Sequence, residues 1–411
     1  MHRRAFLASL TGLAASPDPQ APGAGGSTGS AGSQAGFDAW LAGFRTRATA
    51  RGLPASLVES ATAGLQPDPR VLALDSRQPE FSKPVSDYLS TTVSAGRVAA
   101  GRAKLEAVSP RLGGVGARGA PREILAAVWG VESGYGAVQG DYDVVRSLAT
   151  QAAQGRRAAW AESQLVSALR ILQRGEADRA TLKGSWAGAM GQTQFTPEDY
   201  LNFAVDGDGD GRRDIWRSDV DALASTANFL DRKAAWRTGQ SWAREVAVPR
   251  EGFDYARVEV QALTPFQWGQ LGVRTADGGG FRAADRDAAA TLILPMGWRG
   301  PGFLAFPNHL AIRTYNNSTS YALAVGMLAD RLAGGAPLVQ PWPADAPTSL
   351  ADRIGAQTAL ARLGFDPGGL DGVIGVGTRR AARAWQSARG LPADGYLSGD
   401  LIRRLRAEAQ V

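Results

Sequence analysis

The chain has no cysteine, which excludes disulfides, thiolate metal ligands, a cysteine nucleophile and a lipid-modified N-terminal cysteine. Histidine is almost as scarce. It occurs only at His2 and His309, and His2 falls in an apparent leader, so a Ser-His-Asp arrangement would rest on His309 alone. Any acid-base chemistry must lean on carboxylates. Long blocks of like charge are missing too: the net charge of +6 comes mostly from arginines scattered among acidic residues. That pattern does not call for nucleic acid and suits an acidic polymer equally well. No apolar run is long enough to span a bilayer.

At 411 residues with 44% apolar content, the chain can build two or more packed cores. It opens Met1-His2-Arg3-Arg4-Ala5-Phe6-Leu7, a basic pair before a short apolar stretch, which predicts a cleaved export signal over about residues 1–16. The pair resembles a twin-arginine leader, although ordinary secretory signals also carry two arginines there. Residues 17–36 reduce to Gly, Ser, Ala, Pro and Gln, the composition of a flexible tether. Helical spacing begins at Phe37, Trp40, Leu41 and Phe44 and recurs to about residue 333. This predicts a mainly α domain over 37–333. Between about 240 and 300 the pattern becomes Gly-rich, with alternating pieces at Val246-Ala247-Val248 and Val258-Glu259-Val260 that predict small strands of an inserted subdomain. A Pro/Gly stretch over 334–347 reads as a semi-rigid linker, and residues 348–411 suffice for a small three-helix domain, with Ile354, Leu360 and Leu363 on one stripe and Trp385 on another.

The segment Pro121 to Gly136 opens with proline and closes on Gly134 and Gly136, so it predicts a helix with Glu132 in its last turn. Trp129, Val131 and Tyr135 surround that carboxyl with apolar and aromatic groups, and the carbonyl end of a helix is partly negative. Both effects oppose ionisation. A carboxylic acid that keeps its proton near neutral pH is what glycosidic cleavage requires of a general acid; a solvated glutamate at a fraying helix end is the plainer alternative. The run Gly184 to Phe195 alternates small residues with Ser185, Met190, Gln192, Thr193 and Gln194. A cleft wall for sugars needs such a mixture, with Met190 as an apolar floor and Gln194 as donor and acceptor; a tight helix crossing would also use it. Tyr315-Asn316-Asn317-Ser318 heads a further helix, where either asparagine could be a cap.

Asp206, Asp208 and Asp210 alternate with glycine, and Gly211 stands sixth, the opening of a calcium loop. The twelfth position is Arg217 rather than glutamate, a departure that speaks against a regular EF-hand. Asp221 could close the site instead, or the segment could be a series of solvated Asp-Gly turns.

Taken together and in this order, the Gly-Val-Glu-Ser, Gly-Ala-Met-Gly-x-x-Gln-Phe and Tyr-Asn segments resemble the membrane-bound lytic murein transglycosylase B family, a branch of the goose-lysozyme-like enzymes, over roughly residues 37–332. The resemblance implies a lysozyme-like α+β catalytic domain and non-hydrolytic cleavage of peptidoglycan to 1,6-anhydro ends. It makes Glu132 the sole acid/base, with Ser185, Met190, Gln194, Tyr315 and Asn316 around the substrate. It also implies a structural Ca2+ held by Asp206, Asp208, Asp210, the Arg212 carbonyl and Asp221. One departure stands out: the family can place a tyrosine after the Ala-Asn pair, and here Phe229 follows Ala227-Asn228. Residues Leu370 to Thr378, with Thr378 positioned to cap a helix, and the second Asp394-Gly395 turn closely resemble the three-helix peptidoglycan-binding domain. The protein is thus expected to act as a monomer in the periplasm on glycan strands. A hydrolytic muramidase and a non-catalytic wall-binding scaffold are the alternatives.

Overall fold

The computed structural model describes residues 29–76, 84–115, 119–249 and 251–411. The expected signal at 1–16 lies outside these residues. The tether expected to run to Gly36 is helical from its last third: the first helix spans Gly29–Ala50. Its buried Phe37, Leu41, Phe44 and Ala48 lie on one face, and the Ala, Ser and Gln residues before them extend the same helix at little cost.

The main core is helical and wraps around Arg122–Ser133, a helix with no charge between Glu123 and Glu132. Its residues Ile124 to Val131 are all buried. Helices Ala95–Val108, Asp219–Arg232 and Thr319–Leu332 pack around it. An uncharged helix can be enclosed on every side, since its backbone polar groups bond internally. The same burial forces its one acidic group near the C-terminal end to the rim of the core.

Two sheets interrupt the helices. Strand β1 (Tyr142–Asp143) pairs antiparallel with β2 (Lys183–Gly184). The insertion supplies β3 (Ala243–Ala247), β4 (Ala262–Leu263), β5 (Arg274–Thr275), β6 (Ala290–Ile293) and β7 (Gly302–Ala305), an antiparallel sheet in the order β4-β6-β7-β3-β5. Its period-2 alternation separates two cores. Ile293, Phe303 and Ala305 face the helices, while Leu292, Leu304 and Val246 close a second core with Val258, Trp268 and Val273. The strand expected at Val258-Glu259-Val260 is instead a turn. Glu259 takes a left-handed φ of 62°, and Val260 N–H returns to the Arg257 carbonyl at 3.2 Å, so alternation there reflects one buried valine rather than a pleat.

Trp242, at the entrance to β3, fastens the sheet to the helix Thr319–Leu332. Its indole N–H donates to Asp330 at 2.9 Å, and its ring packs closely against Gly326. The stretch 334–347 is pinned along the sheet: Val339 and Gln340 N–H groups donate to the Glu245 carboxylate at 2.9 and 2.8 Å, and Trp342 stacks on Phe303 at 6.2 Å.

The C-terminal helices Leu350–Arg362, Val376–Ala388 and Gly399–Ala409 enclose Trp385, Leu360 and Leu405. Ile354 is only half-buried. The two Asp-Gly turns are built alike. Gly372 N–H donates to the buried Gln357 carboxamide at 2.7 Å, and Gly395 N–H to that of Gln386 at 2.8 Å. Thr378 lies inside the second helix rather than capping it; Gly375 is at the cap position.

A Cβ added at Gly326 would stand 2.2 Å from the Trp242 ring. Gly326→Ala is therefore expected to lose about 1–3 kcal/mol of stability through overpacking, read as a lower denaturant midpoint with an unchanged slope.

Candidate active site

Glu132 occupies the last turn of its helix and is half-buried. Three successive left-handed residues then turn the chain back: Gly134 (φ 61°), Tyr135 (63°) and Gly136 (82°). A tyrosine in that region costs on the order of 1 kcal/mol, and surrounding contacts hold it there. Its hydroxyl donates to the Arg97 carbonyl at 3.0 Å, and its ring fits against Gly130, where a Cβ would approach to 2.6 Å. Burial pushes the Tyr135 phenol up to about 12.

The helix end is bolted to the loop 184–195. The Ser133 hydroxyl donates to the Gln192 carbonyl at 2.5 Å and accepts Gly136 N–H at 2.8 Å. The Gln192 side-chain oxygen accepts the Trp129 indole N–H at 2.9 Å. A Cβ on Gly136 would fall 2.4 Å from that oxygen, so glycine is needed there. The small residues serve a tight loop rather than a helix crossing: Met190 and Phe195 exchange backbone hydrogen bonds at 2.7 and 2.8 Å, and a Cβ on Gly184 would meet the Ala189 carbonyl at 2.0 Å.

Across from this loop, Tyr321 donates its hydroxyl to Glu132 Oε1 at 2.7 Å. Burial first, and then the charge of Glu132, hold the Tyr321 phenol well above its usual range, so it remains a donor at any working pH. Tyr321 sits in the first turn of Thr319–Leu332, whose cap is Ser318; neither asparagine of the Tyr-Asn-Asn-Ser segment performs that role. Asn316 ends the preceding helix, Pro307–Tyr315. The Tyr315 hydroxyl donates to the Thr193 carbonyl at 2.5 Å, which joins that helix to the loop. Thr193 Oγ1 and Asn316 Oδ1 are buried and lack a hydrogen-bond partner among the described residues, so each needs a water or a ligand to complete its bonding.

The expected lining residues divide by exposure. Ser185 is half-buried, and its Oγ accepts Ala189 N–H at 3.1 Å, which leaves its hydroxyl proton for another acceptor. Gln194 adopts a φ of 56° and spends both amide hydrogens on the Gln139 and Gly191 carbonyls, each at 2.9 Å. It can therefore offer a sugar only its oxygen, rather than act as donor and acceptor. Met190 is fully buried and packs behind the wall instead of forming a floor. His309 is buried under Trp242, its imidazole held neutral by burial and by Arg313 down to about 3.

Phe229, the departure from the family pattern, is fully buried beneath Tyr315 with ring centroids 4.8 Å apart. It also touches Phe195 and Phe203. Its missing phenol belongs to the core under Tyr315, so the packing of that ring is what the residue contributes.

In the acidic loop, one oxygen from each of Asp206, Asp208 and Asp210 lies within 4.8 Å of the others. Asp206 also accepts the Gly209 and Gly211 N–H groups at 2.6 and 2.8 Å, and Asp210 accepts Arg212 N–H at 2.8 Å. Asp221 lies beneath this trio, close enough to feel the charge of Asp208. It is fully buried, and its two oxygens accept Gly207 and Asp214 N–H at 2.8 and 2.7 Å, tying the loop's ends together. Burial, helped by the charge of Asp208, raises its carboxyl above the usual range, against hydrogen bonds from the Gly207, Asp214 and Asp208 backbone.

The family model described as transglycosylase SLT domain matches residues 36–330. The chain belongs to that family. A second model, the peptidoglycan binding domain, matches residues 349–405. Membrane-bound lytic murein transglycosylase B of Escherichia coli (strain K12) is 32% identical over 228 residues, which span 52% of this chain and 58% of that protein. SltB3 from Pseudomonas aeruginosa, crystallised with NAG-NAM-pentapeptide and with NAG-anhNAM-pentapeptide, is 47% identical with a TM-score of 0.86, covering 90% of this chain and 99% of its own. The Escherichia coli lytic transglycosylase Slt35, solved in complex with calcium, is 25% identical with a TM-score of 0.61 over 73% of this chain and 93% of its own.

Tyr321 has no local sequence signal: it stands 189 residues from Glu132 in an ordinary capped helix. Tyr321→Phe is expected to keep the fold and lower kcat on purified peptidoglycan roughly 10- to 100-fold with little change in KM, the effect of one charge-assisted hydrogen bond. Steady-state kinetics beside a thermal melt would check it.

Proposed function

We propose that this protein is a lytic murein transglycosylase in which Glu132 alone serves as acid and base. The observation that carries this reading is the Tyr321 hydroxyl on Glu132 Oε1 at 2.7 Å, at the end of a helix buried along its length. The carboxyl gives its proton to the leaving oxygen, and the Tyr321 phenol stabilises the carboxylate once the proton has left. One group can then serve twice. Glu132 first protonates the oxygen linking N-acetylmuramic acid to N-acetylglucosamine, and that C–O bond breaks. The substrate's N-acetyl oxygen relieves the positive charge at the anomeric carbon. Glu132 then takes the proton of the C6 hydroxyl, whose oxygen bonds to the anomeric carbon. The result is a 1,6-anhydromuramoyl end with no water consumed. The complex of SltB3 with NAG-anhNAM-pentapeptide supports this outcome by similarity.

In this reading Ser185 and the Gln194 oxygen bind the sugars, with Tyr315 and Asn316 beside them, and Met190 and Thr193, both fully buried, support the wall from behind. The C-terminal module retains the enzyme on peptidoglycan through a second, tethered contact. The basic and apolar opening of the chain supports export, and the periplasm is where such a substrate lies.

Three carboxylate oxygens gathered within 4.8 Å repel one another unless a cation sits between them, and hard oxygen donors suit Ca2+. Asp206, Asp208, Asp210 and the Arg212 carbonyl would hold it, with Asp221 closing the loop through its backbone bonds. The calcium complex of Slt35 supports the same assignment. The ion's role is to stiffen the loop ahead of the helix Asp219–Arg232, which carries Phe229.

Glu132→Gln is expected to abolish release of muropeptides from sacculi while wall binding persists. Mass spectrometry of the parent's products should show strand ends lighter by one water than hydrolytic ends. Reducing muramic acid ends would make the protein a muramidase, and an inactive parent would leave a scaffold. Chelation of Ca2+ is expected to lower Tm by about 5–10 °C, the shift for an ion bound well above its Kd, and Asp206→Ala should erase the response.

A further inference from the structure

The Glu259 turn lies where the inserted sheet, the catalytic helices and the C-terminal module meet. Its left-handed φ of 62° is fixed by its N–H on the Leu292 carbonyl at 2.9 Å, and few residues with a Cβ adopt that conformation without a reason. The conformation delivers the carboxylate to the helix Val376–Ala388. One oxygen meets Arg379 at 2.9 Å and the other Arg383 at 2.7 Å. These arginines are four residues apart on one helical face, so their charges repel without a carboxylate between them. All three side chains are largely withdrawn from solvent, Arg383 to 10% exposure. A third guanidinium, Arg313, lies within their electrostatic reach: burial lowers it below its usual range, Glu259 opposes that shift and Arg379 adds to it. Arg313 belongs to the helix that ends at Tyr315.

A second contact sets the orientation. Asp394, in the module's second Asp-Gly turn, accepts Trp298 N–H at 2.8 Å. A Cβ on Gly297 would stand 2.4 Å from the same carboxylate. The first turn, around Asp371, is built the same way but points outward, with Leu370 and Val376 at 51% and 78% exposure. One of two like turns is thus used for docking, and the other stays open to solvent.

We propose that Glu259 is a positioning residue: by clamping Arg379 and Arg383 it holds the three-helix module in one orientation, with its Asp371–Thr378 face outward, so that module and cleft engage one wall in fixed register. The proposal rests on the transglycosylase reading only where kinetics enter.

The test uses the full-length chain. Glu259→Gln should leave turnover of short soluble glycan fragments within twofold of the parent and raise KM on intact sacculi at least fivefold, with sacculus kcat little changed. Small-angle scattering should show a larger radius of gyration, and the 334–347 stretch should become cleavable by protease. Arg379→Gln with Arg383→Gln should reproduce the effect from the module side, which keeps the test valid if Glu259→Gln disturbs the insertion. An unchanged scattering profile and protease resistance in both variants would overturn the proposal. So would an equal loss on soluble and insoluble substrates. If the parent cleaves neither substrate, the transglycosylase reading fails while scattering and proteolysis still decide the clamp.

Discussion

The hydrogen bond between Tyr321 and Glu132 organises the rest of the molecule, because its two partners come from helices 189 residues apart and must meet at 2.7 Å. Such a distance between distant segments requires rigid packing on both sides. The Glu132 helix is enclosed on nearly every face, and the Tyr321 helix is held by Trp242 from the inserted sheet. The insertion thus acts as a brace for the helix that carries the phenol, besides building its own core.

The same requirement accounts for the strained and small residues near the acid. Turning the chain back within three residues after Ser133 needs left-handed conformations at Gly134, Tyr135 and Gly136, and bringing loop 184–195 against that turn leaves no room for side chains at Gly136 or Gly184. Tyr135 is the costly member. It is retained because its ring and hydroxyl lock the turn against Gly130 and Arg97. Tyr135 and Gln194 place two left-handed side-chain-bearing residues beside the acid, and the buried core around them compensates for the strain.

Away from the acid, the structure uses carboxylates as connectors. Asp221 joins the ends of the acidic loop, Glu245 pins the 334–347 stretch, Asp285 ties Ser241 at the base of β3, and Glu259 joins insertion to module. In a chain without disulfides, these charge-assisted bonds from side chain to backbone or guanidinium hold irregular segments that have little apolar surface to bury.

Local chemistry was legible in the sequence. The helix with Glu132 in its last turn, the Asp206-Asp208-Asp210 cluster, the three C-terminal helices and the mainly α fold follow from periodicity, caps and glycines, each acting over a few residues. Contacts between distant segments were not. Tyr321 as partner of the acid, Phe229 under Tyr315, Met190 behind the wall and Glu259 in a turn rather than a strand all depend on which surfaces meet. Periodicity states which face of an element is apolar; only tertiary packing decides what that face, or a polar group at its edge, lies against.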